Sequence, residues 1–133
     1  MFKVFVFGNE DWPGDQASLQ AAARLKEIDG IEFVTIKPNE DLSFIEGEKV
    51  VLMDVVSGID EVMILNENSL DRLVINRGVT AHDFDLGLQL KLLKKMGKLQ
   101  KVTIIGLPQN QKPDYDRIQS ILRKLVEQDI QGS

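Results

Sequence analysis

Short apolar runs alternate with stretches of helical periodicity along this chain, and this alternation constrains the fold more than any other feature. The run "KVFVFG" at 3–8 is typical of a buried central strand. The stretch after it predicts a helix, closed by Gly30, whose inward face consists of Ser18, Ala21, Ala22, Leu25 and Ile28. Strand and helix signals in alternation predict βαβ units and a mainly parallel sheet.

The rest of the chain extends this pattern. Further strands are predicted over 31–37, 46–56, 61–65 and 101–108, and further helices over 83–96 and 115–130. The turn before 61–65 has only about four or five residues, which is too short for a parallel crossover, so this strand is predicted to run antiparallel to its neighbour. We therefore predict an α/β fold, a three-layer α/β/α sandwich with a mostly parallel sheet of about five strands, one of them antiparallel.

Composition narrows the class of protein. With 133 residues, 43% of them apolar, the chain is expected to form a single domain over 1–133. Sixteen basic and 21 acidic residues give a net charge of −5, which disfavours nucleic acid and anionic lipid as partners. No apolar run reaches the ~18–20 residues of a membrane span, and cysteine is absent. The first segment is typical of a strand rather than a signal peptide, so we expect a soluble, cytoplasmic protein. We also expect a monomer.

Three ionisable residues fall beyond the ends of predicted elements, where functional groups gather in parallel α/β sheets. Asp15 begins the first helix, Asp54 ends the apolar run of the third strand, and His82, the single histidine, precedes the predicted helix over 83–96. Two carboxylates and one imidazole form a plausible open site for Ni²⁺ or Zn²⁺, which accept mixed nitrogen and oxygen ligands.

Each of the three residues also has a structural explanation. Asp15 is a good helix N-cap, a role that contributes about 0.5–2 kcal/mol. An aspartate at a strand end such as Asp54 commonly caps a turn or pairs with a lysine, and a lone histidine beside a helix start is commonly structural. Their predicted meeting at one edge of the sheet is what favours a site.

Three segments in the same order resemble the hydrogenase maturation proteases, which remove a C-terminal extension from the large subunit of nickel–iron hydrogenase. They are "VFGNEDWPGDQASLQAAARL", "VVLMDVVSGID" and "TAHDFDLGLQLKLLKKMGKLQKVTIIGLP", and together they cover most of the chain. The resemblance implies an aspartic-type endopeptidase with a sheet of about five strands, one antiparallel, between helices. Its partner would be the hydrogenase large-subunit precursor.

The resemblance assigns the family's metal contacts to Asp15, Asp54 and His82, with Asp15 and Asp54 as the catalytic residues. The metal is Ni²⁺ already inserted in the precursor, and Zn²⁺ or Cd²⁺ are other divalent ions that the site can accept. A carboxylate-activated or metal-bound water would then attack the scissile peptide. Because the histidine must be neutral to bind metal and an ordinary imidazole has a pKa of about 6.5, activity is expected to fall below roughly pH 6.

The sequence departs from the family pattern in its first segment. The family usually has two adjacent acids there, whereas this chain has Gly14 before Asp15, and Gln16 replaces the glycine that often follows. A non-catalytic relative that binds nickel or the precursor is therefore one alternative. Another is a response-regulator receiver, with "NED" at 9–11 as the acid cluster, Asp54 as the phosphoacceptor and Lys112-Pro113 after the last strand.

Overall fold

The computed structural model describes residues 2–7, 16–36, 47–56, 59–66, 99–109 and 111–132. In these ranges the strands are β1 (Phe2–Phe7), β2 (Ile31–Ile36), β3 (Gly47–Val56), β4 (Met63–Asn66) and β5 (Leu99–Pro108). The helices are α1 (Ala17–Leu25) and α2 (Tyr115–Gly132). The element types match the sequence prediction throughout these ranges, whereas the helix predicted over 83–96 lies outside them.

The strands form one five-stranded sheet in the order β2-β1-β3-β5-β4. The pairs β1–β2, β1–β3 and β3–β5 are parallel, and β4 pairs with β5 in the antiparallel sense. The predicted α/β class and the single antiparallel strand are therefore confirmed. The partner of β4 is β5, a strand much later in the chain, because β3 already has parallel neighbours on both sides.

The central strand β3 explains why its sequence is apolar almost without interruption. Side chains of a strand alternate between the two faces of a sheet, and both faces are buried here. On one face, Val51, Met53 and Val55 pack with the apolar sides of α1 and α2. On the other face, Val50, Leu52 and Val56 pack with residues of β1, β2, β4 and β5. Each fully buried aliphatic side chain of this kind contributes about 1.5–3 kcal/mol through its removal from water.

The two described helices bury the stripes that their periodicity predicts. In α1 the buried residues are Ala17, Ser18, Ala21, Ala22 and Leu25. In α2, Ile118, Ile121 and Leu122 are buried and Leu125 packs beside them. Small side chains on α1 allow the helix to lie close to the sheet.

The ends of α1 differ from the prediction. The N-cap position is Gln16, without a side-chain capping bond, so the expected N-cap at Asp15 is wrong. The helix ends at Leu25, with Lys26 as C-cap, and Gly30 therefore does not close it. Gly30 lies in the turn before β2, where its φ of +86° requires the left-handed backbone that glycine adopts without strain. Its carbonyl oxygen accepts the Phe2 N–H at 3.0 Å, which ties this turn to the start of β1.

Candidate functional site

Asp54 is the one predicted site residue that falls within the described ranges. It lies in β3, two residues before the strand ends, and its side chain is 1% exposed. No other ionisable side chain is buried among the residues that the structure describes. Removing a carboxylate from water is costly, so a buried aspartate at the carboxyl end of a parallel strand is a recognised mark of a functional position.

The local geometry orients the Asp54 carboxyl group. The N–H of Val55 donates a hydrogen bond to Asp54 Oδ1 at 2.8 Å, so one oxygen is fixed by the backbone of the next residue. Alternation along the strand places Asp54 on the same face as Leu52 and Val56, opposite to α1 and α2. The carboxylate thus lies on an apolar face, where electrostatic interactions with a substrate are stronger than in water.

Gly106 lies directly across from Asp54 in the β3–β5 ladder. A Cβ atom at this position would lie 3.0 Å from Val56 Cγ2 and 3.6 Å from Ile59 Cδ1. The space that a side chain would need is therefore occupied by the segment that follows Asp54. A glycine within an apolar strand marks such close approaches, and this is the sequence signal by which Gly106 could have been recognised.

The carboxyl end of the sheet is also the place where α1 begins. The Ser18 hydroxyl, in the first turn of α1, donates a hydrogen bond to the carbonyl oxygen of Phe7, the last residue of β1. Ser18 is fully buried. Helical spacing predicts Ser18 on the inward face of α1, but spacing alone does not reveal which carbonyl the hydroxyl meets.

Asp15 and His82 lie outside the described residues, so their predicted meeting with Asp54 stays a prediction. Over the ranges given above, no three histidine, cysteine, aspartate or glutamate side chains are grouped as a metal site requires. Asp15 directly precedes Gln16, the N-cap of α1, and is thus attached to the start of that helix. Neither α1 nor α2 combines the length and the apolarity needed to cross a bilayer.

The receiver alternative does not fit the observed sheet. A receiver of the doubly wound type has an all-parallel sheet in the order 2-1-3-4-5. Here the edge position is held by β4, which is antiparallel to β5. Lys112 lies beyond the end of β5 and is exposed.

Solved structures similar to this chain have been determined for hydrogenase maturation proteins. Hydrogenase maturating endopeptidase HybD from E. coli is 16% identical, the match covers 93% of each chain, and the TM-score is 0.66. Endopeptidase HycI from Escherichia coli is 16% identical over 97% of this chain and 92% of that chain, with a TM-score of 0.60. A hydrogenase 2 maturation peptidase from a Thaumarchaeota archaeon is 21% identical over 99% of this chain and 97% of its own, with a TM-score of 0.50.

These likenesses extend over nearly the whole of each chain. No protein-family model and no curated protein sequence matches the chain. The fold of this protein is that of the hydrogenase maturation endopeptidases, and the fold expected from the three resembling segments is confirmed.

Proposed function

We propose that this protein is an endopeptidase of hydrogenase maturation, which removes the C-terminal extension from the nickel-loaded large-subunit precursor of a nickel–iron hydrogenase. The observation that carries the proposal is the buried Asp54 carboxyl group at the carboxyl end of the central strand. This aspartate belongs to a fold shared with solved hydrogenase maturation endopeptidases. It is also one of the three residues to which the sequence resemblance gives a metal contact.

Asp54 is proposed to act with Asp15 and His82 on nickel that the precursor brings with it. Carboxylate oxygens and a neutral imidazole nitrogen suit Ni²⁺, and the same donors accept Zn²⁺ or Cd²⁺. The metal belongs to the substrate, so its role is to place the scissile peptide against the two aspartates. An unloaded precursor would not present its cleavage site in this way, so nickel insertion would have to precede cleavage.

The proposed reaction is hydrolysis of one peptide bond by an aspartic-type mechanism. The carboxylate of Asp54 or Asp15 takes a proton from a water molecule while the oxygen of that water adds to the scissile carbonyl carbon. The carbon–nitrogen bond then breaks, and the carboxyl group passes the proton taken from water to the nitrogen as the extension leaves. The products are a new C-terminal carboxylate on the large subunit and a free amine on the released peptide. We propose a cytoplasmic monomer, with the precursor as its protein partner.

The decisive experiment mixes the purified protein with nickel-loaded large-subunit precursor and follows loss of the extension by mass spectrometry. Cleavage is expected with the native protein and nickel-loaded precursor, and it should be absent with nickel-free precursor or with the His82→Ala variant. Ser120→Ala is a matched control, because Ser120 is an exposed residue of α2. Cleavage that persists without nickel or in His82→Ala would refute the proposed metal contact.

A non-catalytic relative remains the second candidate function, and the residue that favours it is Gly14 in place of the family's first acid. Such a protein would bind the nickel-loaded precursor without cutting it. The same mixture separates the two functions, since co-elution of protein and intact precursor on gel filtration identifies a binder. Restoring the acid with Gly14→Asp or Gly14→Glu and finding new cleavage would show that this position decides the difference.

A further inference from the structure

Ser18 is the one polar residue among the buried residues on the inward face of α1. The neighbouring buried positions on this face are Ala17, Ala21 and Ala22, and Ser18 is as buried as they are. Alanine forms helices better than serine and carries no hydroxyl to remove from water. A hydroxyl is therefore expected here only if it makes a specific bond, and it donates to the Phe7 carbonyl oxygen.

This bond joins two elements at the end of the sheet where the candidate site lies. Phe7 ends β1, and β1 is a parallel neighbour of β3, the strand that carries Asp54. Ser18 is the second residue of α1, whose N-cap is Gln16. The bond therefore fixes the first turn of α1 against the end of β1. Its two partners, Ser18 and Phe7, are eleven residues apart in the chain.

We infer that Ser18 is a positioning residue that fixes the start of α1, and with it the attached Asp15, relative to the end of the sheet that carries Asp54. The inference rests on the proposed function in so far as Asp15 is a ligand. Asp15 directly precedes the N-cap, and consecutive Cα atoms are about 3.8 Å apart, so a displacement of the first turn is passed on to Asp15 through the backbone. Misplacement of a reacting group by about 1 Å can lower a rate by about 10²-fold.

The test compares Ser18→Ala with Ala21→Gly. Ser18→Ala deletes one oxygen atom and retains a good helix former. Ala21→Gly weakens the same helix at a fully buried position but leaves the Ser18 hydroxyl in place. The two variants therefore separate loss of the bond from general weakening of α1.

The first measurement is amide hydrogen exchange, which does not depend on any enzymatic activity. The Gln20 N–H bonds to the Gln16 carbonyl oxygen at 2.9 Å and reports on the first turn of α1. Ser18→Ala should speed exchange at Gln20 about 2- to 12-fold relative to the last turn of the helix, the equivalent of one net hydrogen bond. Ala21→Gly should affect both ends of α1 alike. Unchanged exchange at Gln20 in Ser18→Ala would overturn the inference.

The second measurement is cleavage of the nickel-loaded precursor. Ser18→Ala should lower kcat by about 10-fold or more and also raise KM, because Asp15 is proposed both as a catalytic residue and as a contact to the metal that the precursor carries. Ala21→Gly should keep the native kcat. Equal losses in the two variants, or native kcat in Ser18→Ala, would refute the positioning role. If the native protein cuts no precursor, the proposed function fails, and hydrogen exchange alone then decides whether Ser18 fixes the first turn.

Discussion

Replacing Asp54 with asparagine tests the carboxylate while changing little else. Asparagine has nearly the same volume as aspartate and retains an Oδ1 atom that can accept a hydrogen bond from the Val55 N–H. In the native protein the Val55 nitrogen lies 2.8 Å from Asp54 Oδ1. What disappears is the negative charge, and with it the capacity to bind metal as a carboxylate or to take a proton from water. Asp54→Asn is therefore expected to abolish cleavage while leaving the fold intact.

The two expected effects differ in size. Loss of a general base typically costs ~10²–10⁴ in rate, which corresponds to about 2.7–5.4 kcal/mol in the activation barrier. The free energy of unfolding should change by only about 1 kcal/mol, or about 4 °C in Tm for a chain of this length. Asp54→Ala also removes the hydrogen bond to Val55 and should destabilise by about 1.5–3 kcal/mol. The two variants would thus be similarly inactive but unequally stable.

The assay measures kcat/KM on nickel-loaded precursor together with thermal unfolding of each variant. Leu52→Met is the matched control, because Leu52 is fully buried two residues earlier in the same strand and on the same face. This volume-conserving change should cost less than about 1.5 kcal/mol and leave cleavage unchanged. If Asp54→Asn cleaves within about threefold of the native rate, the proposed role of the carboxylate is wrong.

Four further outcomes are expected. Gly106→Ala should lower stability by about 1–2 kcal/mol in urea unfolding, because its Cβ would lie 3.0 Å from Val56 Cγ2. Gly30→Ala should lower the free energy of unfolding by about 1–2 kcal/mol, because the φ of +86° at this position is strained for alanine. Gly30→Asn should lose less, since asparagine tolerates that backbone, and equal stability of the two variants would contradict this explanation. Leu52→Ala should cost about 2–5 kcal/mol by the same measurement, and a smaller loss would mean that the face opposite the helices is loosely packed. A pH–rate profile should show cleavage declining toward acid pH, because a charged imidazole of His82 cannot bind metal, and a profile that does not decline would contradict a histidine ligand.

The element types were predictable because they depend on local periodicity. The apolar run of β3 identifies a strand buried on both faces, and the spacing of Ile118, Ile121 and Leu122 identifies the inward side of α2. The antiparallel direction of β4 follows from the short turn before it, since no crossover fits there. These inferences need only neighbours in the sequence.

Other features depend on contacts between distant segments and were out of reach. The start of α1 is set where its first turn meets β1, and an available aspartate at position 15 does not decide it. Likewise, spacing does not reveal that Gly106 lies opposite Asp54, because strand register is fixed by packing across the sheet. Of the candidate site, the sequence identified Asp54 as an acid at the end of an apolar strand, but it indicated neither its burial nor its neighbours Val55 N–H and Gly106.

The pairing of β3 with β5 has a consequence for synthesis of the chain. Asp54 and its partner Gly106 are roughly fifty residues apart, so at about 5–20 residues per second the ribosome adds β5 several seconds after β3. During that interval β3 can pair with β1 on one side, while its other side presents unpaired backbone and an apolar sequence. Such an edge is a template for pairing with another chain. The nascent protein is therefore most prone to aggregation after β3 has emerged and before β5 arrives, and chaperone binding to ribosome-bound chains should be strongest in that window.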